Sequence, residues 1–269
     1  MLSVIVIAKN EENMIKACLE SIKWADEIIF YDNESSDKTV EIAKKYTDKI
    51  FTFKNLNYAA VKNEAFKKTS SDWVLYIDAD ERVLGSLREE IQQIMVCSAR
   101  EAYAISRKNI IFGQEKEYGG FWPDWIIRLV KKDAFKTWVG EVHETLTFEG
   151  KLGYTKNSFI HLTHRNLDQI VLKSLSWSNI DAKLRLDANH PKMSGWRFLR
   201  IFLTETFNQG IIKRGFFNGD VAIMDSLLQT FSLYMTYVRL WQLQQSKSLE
   251  ETYKEIDKKL LDNNFKLSD

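Results

Sequence analysis

As far as residue 80, apolar runs typical of strands alternate along the chain with segments whose apolar positions have helical spacing. The segment 2–8, LSVIVIA, is a continuous apolar run rich in β-branched residues, which is typical of a strand buried on both faces. Behind it, residues 14–22 carry apolar side chains at helical spacing. Further apolar runs cover 27–32, 49–53 and 73–77, with helical patterns at 37–46, where Asp37 is the expected N-cap, and at 58–68. This alternation predicts a mostly parallel α/β sheet with helices on both faces.

The pattern changes after this first part of the chain. A helix is predicted over 87–95, and short strand-like runs follow at 102–111, 125–130, 142–148 and 157–163. These runs predict a mixed or antiparallel extension of the sheet. From about Asn166 helical patterns continue to the C-terminus, in agreement with a content of only two prolines in the chain. We therefore expect two parts, residues 1–165 and residues 166–269.

Two aspartates follow the predicted strand 73–77 in the stretch DWVLYIDADERV. Side chains two positions apart on an extended backbone point the same way, so Asp78 and Asp80 can face one cleft. In a parallel α/β sheet, ligands bind beyond the carboxyl ends of the strands. Carboxylate oxygens there suit Mn²⁺ or Mg²⁺, which can bridge the oxygens of a diphosphate. Alternatively, one aspartate caps the turn and the other is solvated.

Polar residues also follow the first two strands. Asn10 and Glu11 come after strand 2–8, and Asp32 ends the second strand, where an acidic group can contact the base or ribose of a nucleotide. Each can equally be a helix cap or a turn residue. No GxGxxG follows the first strand and no GxxxxGK[ST] occurs, which disfavours a dinucleotide-binding site and an ATPase P-loop.

Composition and charge narrow the classes of partner and compartment. The chain has 38 basic and 37 acidic side chains, so its charge does not favour nucleic-acid binding. It begins without the basic region of a signal peptide, and no apolar run reaches the ~20 residues that span a bilayer. We expect a cytoplasmic protein, either free or peripheral at the inner face of the cytoplasmic membrane. The two cysteines, Cys18 and Cys97, are expected to be buried in helices.

Four segments in order, VIVIAKNEE, YDNESSDKT, AAVKNEAF and DWVLYIDADERV, resemble the motifs of family 2 glycosyltransferases. That family has the GT-A fold and uses nucleotide-diphosphate sugars. The later segments FWPDWIIRLVKKDAF and VHETL resemble the branch that contains the lipopolysaccharide core β-1,4-glucosyltransferases. The resemblance covers about residues 1–165 well and the helical tail loosely. It implies a GT-A catalytic domain followed by a helical C-terminal region.

The resemblance also implies roles for the residues at the strand ends. The DAD segment takes the place of the DXD motif, so Asp80 would hold the metal and Asp78 would lie near the ribose. Asn10 and Glu11 would line the nucleotide pocket, and Asp32 would contact the base.

Two basic residues occupy further motif positions. Lys62, in AAVKNEAF, would lie near the diphosphate, or it is an ordinary surface lysine. Arg128, in IIRL, would reach the diphosphate or the acceptor, or it forms an ion pair on the surface of a strand.

The resemblance to inverting enzymes implies a base that deprotonates the acceptor hydroxyl. Glu144 is our first candidate and Asp124 the second, since the chain has no clear copy of the Glu-Asp pair that many relatives carry on a helix. Glu144 can alternatively form a cross-strand ion pair, and Asp124 can cap a turn after Pro123. Some GT-A enzymes complete the metal site with a late histidine, a role for which His161 is the candidate. Its alternative is a hydrogen-bonded structural residue.

The helical tail contains a segment, 195–217, in which aromatic and basic residues are interleaved. This composition favours contact with an anionic membrane surface. The next helix places Met224, Leu228, Phe231, Met235 and Val238 near one face. That face can pack within the protein, pair with a second subunit in a homodimer, or lie on lipid.

The resemblance, together with the acidic residues at the strand ends, implies an inverting, metal-dependent glycosyltransferase. Its donor would be a nucleotide-diphosphate sugar, with UDP favoured by the resemblance, and its acceptor a lipid-linked or other cell-envelope glycan such as lipopolysaccharide core. One alternative is a sugar nucleotidyltransferase, whose glycine-rich signature after the first strand is replaced here by AKNEEN. Another is a non-catalytic, membrane-bound scaffold on a transferase fold.

Overall fold

The structure is a computed structural model that describes residues 1–54, 57–116, 118, 122–140 and 144–261. The chain divides into two compact units, residues 1–165 and residues 166–269. The first unit contains the sheet, and the described residues of the second unit are largely helical.

The first unit contains a sheet of nine strands among the described residues. The strands are β1 (Leu2–Ala8), β2 (Glu27–Asp32), β3 (Ile50–Thr52), β4 (Trp73–Asp78), β5 (Glu81–Arg82), β6 (Ala102–Ile111), β7 (Gln114–Glu115), β8 (Asp124–Lys131) and β11 (Leu152–Leu162). Their spatial order is β3-β2-β1-β4-β8-β6-β11-β5, with β7 paired to β6. Strands β1 to β4 are mutually parallel, whereas β8 runs antiparallel to both β4 and β6. A separate hairpin consists of β9 (Phe135–Val139) and β10 (Thr145–Phe148).

Helices and the hairpin cover the two faces of this sheet. The helices of the first unit are α1 (Ile15–Ile22), α2 (Thr39–Ala43), α3 (Tyr58–Phe66) and α4 (Gly85–Cys97). Successive side chains of β1 point to opposite faces, so Val4 packs in one apolar cluster with α1, α2 and α4, while Ile5 packs in another with α3 and the hairpin. This two-sided burial explains why the strand is apolar at almost every position.

The predicted sheet and its extension, which is mixed, are confirmed, and several details differ. Lys38, one residue after Asp37, is the N-cap of α2, and Asp37 instead accepts the Thr39 N–H at 2.9 Å. That helix ends at Ala43, three residues before the predicted end at 46. Cys18 is buried as expected, but Cys97, the last residue of α4, is exposed.

The second unit consists of α5 (Leu167–Asp187), α6 (Gly195–Phe207), a π-helical turn (Asn208–Ile212), a 3₁₀ turn (Gly215–Phe217), α7 (Gly219–Leu243) and α8 (Leu249–Leu261). Helix α7 packs against α5 and α6. It buries mainly small and polar residues, including Ser226 and Thr230, whereas Met224 and Phe231 of the predicted apolar face are exposed. Among the described helices, none has the length and apolar character needed to cross a membrane.

Candidate active site

The carboxyl ends of the parallel strands bring the predicted polar residues to one edge of the sheet. In the strand register, Ala8 of β1 lies beside Asp32 of β2, and Ile7 lies beside Asp78 of β4. Asn10 follows directly, in a left-handed backbone conformation with φ of 53°. The short loops after these strands therefore lie at the edge of the sheet where ligands bind in parallel α/β folds.

An acidic and basic cluster occupies the end of β4. Asp78 accepts a hydrogen bond from Arg128 Nη2 of β8, and its own backbone N–H donates to Glu81 Oε2 at 2.9 Å. The Glu81 side chain is fully buried, with Oε1 lying 3.6 Å from Arg128 Nη2 and 3.7 Å from Arg107 Nη1. The positive charges of Arg107 and Arg128 offset the negative charges of Asp78 and Glu81. This explains how the protein tolerates two neighbouring carboxylates at the end of a buried strand.

The two carboxylates of this cluster differ in their acidity. Burial by itself raises the pKa of Asp78, but Arg128, with help from Lys62, outweighs that effect and holds the pKa well below its usual range. Burial also raises the pKa of Glu81, and there the nearby Arg128 only partly offsets it. The pKa of Arg128 itself is raised, because the attraction of both carboxylates exceeds the cost of burying its charge. Asp78 is thus the more acidic of the two carboxyl groups.

Asp80 faces a histidine on β11. His161 Nε2 lies 3.4 Å from Asp80 Oδ2, and His161 Nδ1 lies 2.6 Å from Asn109 Oδ1 on the neighbouring strand β6. Asn109 Nδ2 donates in turn to Asp124 Oδ2 at 3.2 Å, and Arg107 binds the same oxygen at 2.9 Å through Nε. A hydrogen-bond chain therefore runs from Asp124 on β8 through Asn109 on β6 to His161 on β11, whose Nε2 faces Asp80.

Lys62 and Glu144 form a second buried group beside this cluster. Lys62 Nζ lies 2.8 Å from Glu144 Oε1 and 4.3 Å from the centre of the Trp138 ring. The pKa of Lys62 is lowered, first because it is buried and second because it lies near Arg128, although Asp78 and Glu144 oppose this. Lys62 is thus not the ordinary surface lysine of the alternative interpretation.

The polar residues after β1 and β2 mainly hold their loops together. Asn10 Oδ1 accepts the Ser36 N–H at 2.8 Å, and Asp32 accepts the Ser35 N–H at 3.1 Å. Glu11 forms a two-point ion pair with Arg165, with the shorter contact at 2.8 Å. Burial raises the pKa of Glu11, and Arg165 partly counters this. These bonds fix the loops at this edge of the sheet.

The structure brings Asp78, Asp80, Arg128 and His161 into one connected cluster through their shared partners. Asp124 joins the cluster through a hydrogen bond to Asn109. His143, which precedes the candidate base Glu144, lies outside the described residues.

Sequence reasoning missed several members of the site. These are Glu81, Arg107, Asn109, Trp138 and Arg165. The spacing of Arg107 and Asn109, two positions apart on a predicted strand, was a usable signal because it places both on one face of the sheet. The deep burial of Glu81 had no such signal in the sequence.

The residues at the DAD turn fit a divalent cation of the Mn²⁺ or Mg²⁺ type. Within the described residues no cluster of three or more His, Cys, Asp or Glu side chains is arranged to hold a metal. Asp80 supplies a carboxylate oxygen, and His161 supplies a ring nitrogen that faces it. Mg²⁺-type sites commonly use one or two protein ligands and complete their shell with substrate phosphates and water. A cation held by these two residues would need oxygens from phosphate or water to complete its shell.

Comparisons with known proteins identify relatives of this chain. Residues 3–132 match the model of Glycosyl transferase family 2. An uncharacterized glycosyltransferase of Rickettsia conorii is 28% identical over 270 residues, covering 94% of this chain and 95% of that protein. The lipopolysaccharide core biosynthesis glycosyltransferase LpsC of Rhizobium meliloti is 26% identical over 200 residues, covering 70% of this chain and 72% of its own.

Solved structures resemble the chain more distantly. Glucosyl-3-phosphoglycerate synthase from Mycobacterium tuberculosis, in complex with Mg²⁺ and uridine diphosphate, is 16% identical with a TM-score of 0.46, covering 71% of this chain and 80% of that one. The chain spans about half the length of two other matching structures, 55% of a mycobacterial protein and 44% of the synthase bound to Mn²⁺ and UDP-glucose.

Proposed function

We propose that this chain, which carries a family 2 glycosyltransferase domain over residues 3–132 as its motifs predicted, transfers a sugar from a nucleotide-diphosphate donor to a glycan acceptor with inversion. In this proposal residues 1–165 bind the donor and catalyse the reaction. The observation that carries it is the cluster at the carboxyl end of β4, where Asp78 and Asp80 lie beside Arg128 and His161. Asn10, Glu11 and Asp32 border the nucleotide side of the same edge.

The reaction requires one bond to form and one to break. The acceptor hydroxyl oxygen attacks the anomeric carbon of the donor, the bond from that carbon to the diphosphate breaks, and the nucleoside diphosphate leaves with the electron pair. Asp80 and His161 would hold a Mn²⁺ or Mg²⁺ ion, which neutralises the diphosphate as it leaves. Arg128, buried and paired with Asp78, adds positive charge at the same place.

Glu144 is our candidate for the base. Its carboxylate pairs with Lys62 Nζ at 2.8 Å, and its side chain is 16% exposed. In our proposal Lys62 turns to the donor diphosphate when the donor binds, and Glu144 is then free to accept the hydroxyl proton.

Asp124, the second candidate, is less suited to this role. Its Oδ2 already accepts hydrogen bonds from Arg107 and from Asn109, which hold this carboxylate in the chain that reaches His161. A base must reach the hydroxyl proton directly or through one water. We therefore retain Glu144 as the first choice.

The donor is most simply a UDP-sugar, and the acceptor a cell-envelope glycan such as lipopolysaccharide core. This part of the proposal is supported by the resemblance of the later motifs and by LpsC, whose name states a role in lipopolysaccharide core biosynthesis. The protein would then act on a lipid-linked acceptor at the cytoplasmic face of the membrane.

An exposed apolar patch in the second unit supports contact with such a membrane. We define the patch as Trp196, Leu199, Leu203, Phe207, Ile212 and Phe217, whose exposed fractions run from 50% to 70%. Arg200 and Arg214 are exposed in the same segment, which favours an anionic surface. Two aromatic residues of the predicted segment turn inward instead, since Phe198 packs on Tyr234 and Phe216 on Gly210. Exposed apolar surface of this extent usually marks an interaction site.

Vesicle flotation tests the membrane contact. The wild type should float with vesicles that contain phosphatidylglycerol and remain below with neutral phosphatidylcholine vesicles. The variants Leu203→Ser and Arg200→Glu should float less, whereas Leu172→Ser, at an exposed position on α5, should float like the wild type. A protein that never floats but loses a stable dimer in Leu203→Ser would assign the patch to a second copy of the chain.

Thermal shift with nucleotides tests the transferase proposal itself. We would measure the melting temperature with each nucleoside diphosphate and nucleotide sugar, with and without Mn²⁺, on the wild type and on Asp80→Ala. A ligand that binds the native state raises the melting temperature, so no acceptor is needed. A Mn²⁺-dependent shift with one nucleotide that is lost in Asp80→Ala supports the proposal and identifies the base. The absence of any shift in the wild type would contradict it.

A further inference from the structure

We propose that Asn109 and Asp124 are positioning residues that fix the imidazole of His161, so that Nε2 presents its lone pair beside Asp80 to the divalent cation. The inference rests on the proposed function, because it concerns the same metal. It assigns to Asp124 a role different from that of a base. It also places Asn109 of β6 in the site, although β6 carries no motif of the DXD type.

The first step is the contact between Asn109 and His161. Asn109 Oδ1 lies 2.6 Å from His161 Nδ1, and an amide oxygen can only accept a hydrogen bond. Nδ1 must therefore carry the proton. In the neutral ring the other nitrogen, Nε2, is then without a proton and has a lone pair. That nitrogen is the one 3.4 Å from Asp80 Oδ2.

The second step is the orientation of the Asn109 amide. Its oxygen and nitrogen could exchange places, and the reversed amide would favour the opposite tautomer of the histidine. Asp124 prevents the exchange because its carboxylate only accepts, and it binds the Nδ2 end of Asn109 at 3.2 Å. The carboxylate is itself held by Arg107, with Nη2 at 2.7 Å. Asp124 therefore fixes the orientation of the Asn109 amide, and the amide in turn fixes the proton of His161 on Nδ1.

The third step is the rigidity of this arrangement. Strands β6 and β11 are parallel neighbours in which Asn109 lies directly beside His161 in the register. Both residues are 8% exposed, so water cannot easily replace either partner. Hydrogen bonds from the far nitrogen of a ligating histidine orient the ring, and their removal typically weakens metal binding by about 10- to 100-fold.

The first test measures the metal affinity of variants of the two positioning residues. In Asn109→Leu, which keeps the size of the side chain but removes its oxygen, the Kd for Mn²⁺ measured by the EPR signal of the free ion, with UDP present, should rise by about 10- to 100-fold. Asp124→Asn should weaken binding less, since an amide can still accept from Asn109 in one orientation. The control Lys108→Leu lies on the same strand, next to Asn109, and should bind Mn²⁺ like the wild type.

A spectroscopic measurement separates this role from a structural one. Long-range ¹H–¹⁵N spectra of the metal-free protein, with His161 assigned by comparison with His161→Gln among the four histidines of the chain, report which ring nitrogen carries the proton. We expect Nδ1–H in the wild type and a shift towards Nε2–H in Asn109→Leu. If Asn109→Leu does not fold, the tautomer of the wild type and the Mn²⁺ affinity of Asp124→Asn still decide whether the two residues position the His161 ring.

The outcomes distinguish the two proposals. A wild type that binds no Mn²⁺ together with any nucleoside diphosphate would contradict the proposed function. A wild type that binds Mn²⁺ while Asn109→Leu and Asp124→Asn bind it equally well, or a wild-type His161 that is protonated at Nε2 alone, would overturn the positioning role and leave the function intact.

Discussion

Lys62 Nζ and Glu144 Oε1 lie 2.8 Å apart, although the two residues are separated by 82 positions in the chain. The side chains are 6% and 16% exposed, so the pair is almost completely removed from water. Lys62 also lies over the Trp138 ring, which the β9–β10 hairpin places on this face of the sheet. Because α3 and the segment before β10 each supply one charge, the pair ties two distant parts of the first unit together.

Removal of one member of this pair should therefore be costly. In Lys62→Met the carboxylate of Glu144 remains with little water around it, and we expect the free energy of unfolding to fall by about 3–5 kcal/mol. The double variant Lys62→Met with Glu144→Gln should recover most of this loss. Urea unfolding of both single variants and the double variant measures the coupling. If the losses of the two single variants add up to the loss of the double variant, the coupling is zero and the pair contributes little.

Substitution of the candidate base should affect turnover more than donor binding. In Glu144→Gln the acceptor hydroxyl would lose its proton acceptor, and kcat should fall by about 10²- to 10⁴-fold. The KM for the donor should change little. Steady-state release of the nucleoside diphosphate at saturating substrates gives both values. Glu149→Gln, at an exposed position after β10, is the matched control, and full turnover in Glu144→Gln would exclude this residue as the base.

Arg128 should stabilise the fold through Asp78 and Glu81. In Arg128→Met the two carboxylates would face each other without the guanidinium that lies between them, and we expect a loss of about 3–5 kcal/mol in the free energy of unfolding at neutral pH. The additional change Glu81→Gln removes one of the two charges and should restore part of the loss. Chemical unfolding is the measurement, with Arg100→Met at an exposed site as the control. An unchanged stability would mean that water already compensates the carboxylates.

Glu27 should make the stability depend on pH below about 4.5. Burial raises the pKa of its carboxyl, but bonds from Lys49, Ser3 and Ser70 outweigh this and lower the pKa from 4.5 to about 2. Since the folded pKa is depressed, the contribution is complete above the unfolded pKa and is lost as the pH falls from about 4.5 towards 2. It amounts to about 3 kcal/mol.

Urea unfolding between pH 7 and pH 3 tests this expectation. The difference in stability between the wild type and Glu27→Gln should shrink steadily below pH 4.5, whereas the exposed Glu89→Gln should track the wild type throughout. A difference that stays constant down to pH 3 would show that Glu27 has an ordinary pKa in the folded protein.

The sequence determined the order of strands and helices as far as residue 80 and the motifs that resemble those of family 2 glycosyltransferases. Continuous apolar runs predicted β1, β2 and β4, because a strand with both faces covered must be apolar throughout. The motif residues Asp78 and Asp80 could be placed at the edge of the sheet where ligands bind, because parallel strands end on the same side of a sheet. Helix ends were less certain, since Asp37 bonds to Thr39 from one position before the N-cap of α2.

Tertiary structure alone decided which charges meet. Two-residue strand β5 leaves its neighbour in sequence, β4, and pairs with β11 at the far end of the sheet order, so that Glu81 lies opposite His161. This crossing buries Glu81 between Arg107 and Arg128 and turns Asp80 towards the imidazole. Local periodicity reports which face of a strand is apolar, but it carries no information about which strands become neighbours. The partners of a buried charge come from distant parts of the chain, and only the complete sheet brings them together.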